Sequence, residues 1–142
     1  MAVSTYLTFL MYKSSAAADY TKLCDITSTP DVGGAPNMLE TTTLTDGMQT
    51  FIPGIQQISD GMQFGANYDK ATYTTLRGLE NTTKSYAIWK GGTVSGATVT
   101  PTGSDGKWSF DGQLSVMVNG GGVDEVLGMT ITIAPETVIT FA

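Results

Sequence analysis

Residues 129–133 alternate apolar and polar side chains without a break, Met129, Ile131 and Ile133 against Thr130 and Thr132. Leu114, Val116 and Val118 repeat the pattern across residues 113–119. Successive side chains of an extended strand point to opposite faces, so a period of two commits one face to a core. Leu7, Phe9 and Met11, set between Tyr6, Thr8, Leu10 and Tyr12, read as another strand with one strongly apolar face. Residues 86–90 and 107–111 are strand-patterned as well, and each carries a tryptophan; Trp89 and Trp108 are expected as core aromatics. Seventeen glycines, twenty-three threonines and few long helix formers support the same bias.

One segment departs from it. Asp69 is placed to cap a helix over residues 70–80, in which Tyr73, Leu76 and Leu79 form an apolar stripe at helical spacing. Gly78 weakens that helix and Asn81 is a plausible stop. Asp105-Gly106 and Gly120–Gly122 carry turn chemistry, and glycines across residues 91–96 and 103–108 suggest a loop-rich middle. With 142 residues and 41% hydrophobic content, one globular domain over residues 1–142 is expected. The expected fold is mainly β (α+β): a two-sheet β-sandwich or barrel with one flanking helix and a long inter-strand loop.

The residues offer little chemistry. There is no His, so the commonest general base and metal ligand are missing. Cys24 is the single cysteine; beside Asp25 in a strand-like stretch it reads as a buried structural thiol. Asp124 and Glu125 are adjacent, point apart in a strand and cannot converge on one bond, so they read as a solvated turn. Gly120–Gly122 lacks the Lys-Ser/Thr of a phosphate loop, and Asn81-Thr82-Thr83 is a short acceptor pattern that arises often by chance. No enzyme activity, cofactor or metal is expected. Thirteen acids against seven scattered bases give a net charge of −6, which argues against a nucleic-acid-binding module. Ala16–Ala18 imitates a signal-peptidase site, but Lys13 follows the apolar run instead of preceding it, so a strand is the better reading. No run reaches transmembrane length, and no membrane insertion is expected.

What remains is residues 25–58. A Thr-rich stretch runs into a polar loop, expected over residues 42–58, that carries Met48, Phe51, Ile52 and Ile55. Isolated apolar anchors in a loop without base, nucleophile or ligand suit docking against another protein. The order Ile-x-Ser-x-Pro, Gly-Gly-x-Pro, Glu-Thr-Thr-x-Leu-x-Asp, Phe-Ile-Pro-Gly-Ile resembles the major tail tube proteins of long, non-contractile-tailed bacteriophages. The resemblance continues through residues 64–80 and 110–139 and is weakest over residues 91–106. It implies a virion protein assembled in the host cytoplasm. Subunits would close into hexameric rings that stack into a tail tube through which genomic DNA passes during ejection. The partners implied are other copies of the chain, a tape measure protein, a tail terminator and tail-tip or baseplate proteins. Double-stranded DNA would pass without specific binding. The long loop of that family contacts the adjacent ring, a role the resemblance carries to Asp46, Phe51, Ile52, Pro53 and Ile55.

Two alternatives stay open: a non-catalytic β-sandwich binding module for carbohydrate or a receptor, and a tube protein of a related secretion or contractile machine. If acid faces the channel, some of Asp25, Asp31, Glu40, Asp60, Asp111, Asp124 and Glu125 line it and repel DNA. The loop and the first and last few residues, with little local means of satisfying their backbone, are expected to order only on assembly.

Overall fold

The alternating carboxyl-terminal segments form adjacent strands of one sheet, paired so that their apolar positions coincide. In the computed structural model, which describes residues 4, 6–32, 36–56 and 61–141, β7 (Thr98–Val118) pairs antiparallel with β8 (Gly128–Pro135). Leu114 lies opposite Ile133 and Val116 opposite Ile131. Around this pair the sheet runs β2 (Thr21–Cys24), β1 (Thr8–Tyr12), β6 (Thr83–Ser95), β7, β8, β5 (Met62–Asn67), with β9 (Thr140–Phe141) added beside β7. The two ends of that order meet. Just past β2, the Thr27 amide donates to the Gly65 carbonyl of β5 at 2.7 Å and the Gly65 amide to the Ser28 carbonyl at 3.3 Å. The sheet therefore curls back on itself as a small barrel, which removes most of its open edges.

The expected main-β, α+β class holds, and the curled sheet takes the barrel form of it. Every strand of the ring supplies its interior: Leu10, Cys24, Met62, Phe64, Tyr86, Ile88, Phe110, Leu114, Ile131 and Ile133 are buried together. Each fully buried aliphatic of this set contributes about 1.5–3 kcal/mol relative to exposure. The helix α1 (Lys70–Leu79) adds Leu76, fully buried in the same cluster. Asp69 caps it as expected: its Oδ2 accepts from the Thr72 amide at 3.2 Å. Asn81 leaves the helix in the left-handed region, φ 63°, and Glu80 bridges to Leu114 of β7.

Three expectations need correction. The middle of the chain is not loop-rich: β6 and β7 run on through it, and Val94 pairs with Val99 around a turn at Gly96. Gly91, Gly103 and Gly106 all have positive φ, so their turn chemistry bends the ribbon at a register shift instead of ending the strands. Asp105-Gly106 consequently lies inside β7. The tryptophans are half-buried: Trp89 packs on a second hydrophobic cluster outside the barrel, and Trp108 belongs to neither cluster. Trp89 packs edge-on against Tyr20 with ring centres 5.8 Å apart, and Trp108 packs against Phe141 at 5.2 Å. Finally, β1 buries both faces. Leu10 enters the barrel, while Phe9 and Met11 form a second cluster with Ala87 on the outside, under Leu7, Tyr20 and Trp89.

Candidate functional site

The expected loop is largely a hairpin. β3 (Pro36–Glu40) and β4 (Phe51–Gln56) pair antiparallel as a sheet of their own, with Leu39 opposite Ile52, Met38 opposite Pro53 and Glu40 opposite Phe51. Only residues 41–50 remain as a connection. Both strands of a two-stranded ribbon have an open edge, so Pro53 costs no ladder hydrogen bond on the outer side. Gly54 lets the strands come together: a Cβ there would stand 3.1 Å from the Asn37 carbonyl oxygen. Ile58 and Asp60, which the loop and charge readings invoked, lie outside the described residues.

Pairing sorts the side chains onto two faces. Met38, Phe51 and Pro53 fall on one and Leu39 and Ile52 on the other, while Ile55 lies across the register shift that breaks the alternation. All six are exposed, Phe51 by 47%, Ile52 by 49% and Ile55 by 82%. The two strands pack chiefly against each other and the barrel covers neither face. At the tip Leu44 and Met48 are exposed as well. An isolated two-stranded hairpin is marginal in water, and one that is apolar on both sides requires cover on both.

The tip is better organised than expected. Thr41 N–H donates to the Thr50 carbonyl at 2.8 Å, and the Thr50 amide donates to Thr42 Oγ1 at 2.9 Å. Asp46 accepts from the Thr43 amide on Oδ2 at 2.7 Å while its own amide donates to the Thr43 carbonyl at 3.0 Å. Residues 41–50 thus satisfy part of their backbone locally, where little local means was expected. The Asp46 carboxylate is occupied holding this turn. Of the five residues assigned to an inter-ring contact, the geometry presents Phe51, Ile52, Pro53 and Ile55 as surface and gives Asp46 a local task.

Charge is segregated along the chain. Residues 23–69 hold Asp25, Asp31, Glu40, Asp46, Asp60 and Asp69 and no Lys or Arg, so the arm is acidic as well as apolar. Several of the proposed lumen acids have local partners. Asp25 pairs with Lys22 at 2.8 Å, Asp111 accepts from Ser85 Oγ at 2.7 Å, and Glu125 accepts from the Gly122 amide at 2.9 Å in the turn that contains Asp124. Among the described residues no three Cys, Asp or Glu side chains converge to hold a metal ion. Cys24 faces the barrel interior, where burial first and then Asp25 push its thiol up to about 11. Tyr86, also interior, is pushed up to about 12 by burial and then by Tyr12, and its hydroxyl finds no hydrogen-bond partner among the described residues.

No protein-family model matches this chain, and no curated protein matches it either.

Proposed function

We propose that this chain is a structural subunit that joins copies of itself through the projecting arm. The observation that carries the reading is the arm's pair of exposed apolar faces on a ribbon the barrel does not cover. A sheet curled back on itself leaves few edges for assembly, so association falls chiefly to what projects from it. The resemblance of the Ile-x-Ser-x-Pro through Phe-Ile-Pro-Gly-Ile order to tail tube proteins supports a particular assembly: rings stacked into a phage tail tube. Phe51 and Ile52, each about half exposed, have room to bury roughly another 1 kcal/mol apiece on contact. Multiplied around a ring, such small terms decide whether a tube forms. A net charge of −6 suits a conduit that DNA must traverse without adhering, since a basic wall would retain it by counterion release.

The test is a Phe51→Ser/Ile52→Ser variant. Both positions are exposed in the subunit, so it is expected to fold and melt like the parent but to sediment as single subunits where the parent assembles. Assembly of the variant at parental concentrations refutes the arm as the joining element.

A further inference from the structure

A second surface has properties that answer those of the arm. It lies on the outer face of β1, β6 and β7, the side away from the barrel interior. Phe9 stands opposite Trp89, and Trp89 opposite Lys107. Gly92 faces the Phe9 ring, at 3.1 Å from a built Cβ, which puts Val94 two residues on, and its partner Val99, on the same side. Val94 and Val99 are 50% and 41% exposed. Two cations rest on aromatic rings along this strip: Lys13 Nζ is 4.9 Å from the Tyr20 ring centre and Lys107 Nζ is 4.2 Å from that of Trp89. Stacking holds each ammonium in place at the surface without neutralising it. Asp111 lines a recess with Lys13 and Lys84 at one end of the strip and accepts from Ser85 Oγ at 2.7 Å, so the two lysines there outnumber it.

We infer that the arm of one copy lies across this Lys13–Val99 strip of a second copy, with its apolar face on Val94, Val99 and Trp89 and its acids towards Lys13 and Lys107. The inference rests on the self-assembly reading and names the receiving surface. Charge selects the strip. The arm carries Glu40 and Asp46 without a base. The other apolar recess, about 520 Å³ beside Val138 and Ile139, carries Glu136 and is bounded by Ile55 and Gly61 at the arm's own root. Acid there repels the acidic arm. An arm seated on a different surface makes a heterologous contact, which each added copy can repeat.

Mixing separates this contact from arm-on-arm pairing. Phe51→Ser/Ile52→Ser removes the arm's grip and leaves the strip; Val94→Asp/Lys107→Glu spoils the strip and leaves the arm. Each variant alone is expected to sediment as single subunits, with association weakened at least tenfold. Mixed in equal amounts they are expected to form one-to-one pairs that grow no further, because one arm and one strip survive between them. Adding Glu40→Lys to a Lys107→Glu chain is expected to restore at least part of the lost association, and raising salt to weaken the parent. Val99→Asp, at an exposed site, repeats the strip test if the first strip variant fails to melt cooperatively. Strip variants that assemble like the parent, or a mixture that yields no pairs, overturn the inference and leave self-assembly standing. A parent that never associates overturns both.

Discussion

Gly112→Ala tests the packing around the longest strand. Gly112 is buried in β7, flanked in register by Lys84 of β6 and Pro135 of β8. Its φ lies outside the left-handed range, so alanine meets no conformational objection there. The objection is space. An added Cβ runs onto the Ala134 carbonyl oxygen and stands 3.1 Å from the Ala134 carbonyl carbon and 3.2 Å from Ile133 Cγ2. The oxygen and carbon belong to the backbone of a paired strand and cannot rotate aside, so β8 must bow away from β7. Overpacking of this kind costs about 1–3 kcal/mol. For a chain of this size that lowers the melting temperature by roughly 3–10 °C. Gly78→Ala is the control, since nothing lies within 4 Å of its built Cβ on the exposed side of α1. There the same substitution stabilises by about 0.5–1 kcal/mol. Urea unfolding followed by tryptophan fluorescence gives both midpoints, with the slope expected unchanged. A Gly112→Ala midpoint equal to the parent's refutes the β6–β7–β8 register at this point. A lowered Gly78→Ala midpoint refutes the helix.

Tyr86→Phe removes a buried hydroxyl that has no partner among the described residues, and is expected to raise stability by about 1 kcal/mol; a loss of that size in urea unfolding contradicts it. Cys24 ties stability to alkaline pH. Its ordinary value of 9.0 rises to about 11 on folding, so the contribution of the neutral thiol is full below pH 9 and is lost as pH climbs to 11. The decline reaches at most about 1.4 kcal/mol per pH unit, and a Cys24→Ala chain measured across the same range should fall less steeply. Asp46→Ala frees the Thr43 amide, which should exchange with deuterium several-fold faster while the melting temperature stays within about 2 °C of the parent; unchanged exchange contradicts the turn.

The parts of the fold that could be read in advance are those where one local rule governs. Strict alternation at residues 129–133 and the Asp69 cap each have a single strong reading, and both appear as expected. Glycine-rich stretches have two, because a positive φ serves a turn and a bulge equally; Gly91 and Gly106 bend strands where turns were expected. The arm was visible as exposed anchors but not as a ribbon. FIPGIQ has no alternation, since apolar residues fall on both of its faces, and that property became readable only once pairing with β3 fixed the register. Asp46 shows the opposite limit. Its carboxylate looks like a contact for a partner until the Thr43 amide is found 2.7 Å away. The two tryptophans differ: Trp89 lies on the outer side of the curled sheet, while Trp108 is on the side of Ile88 and Phe110 but beyond the core cluster, and both stand half-buried with a lysine over the ring.

Assembly itself is the decisive observable. Negative-stain microscopy of the purified parent chain over a rising concentration series is expected to show rings or tubes of uniform width, and the Phe51→Ser/Ile52→Ser chain none. A parent that remains as dispersed single subunits at every concentration contradicts the claim that this barrel and its arm are a building block.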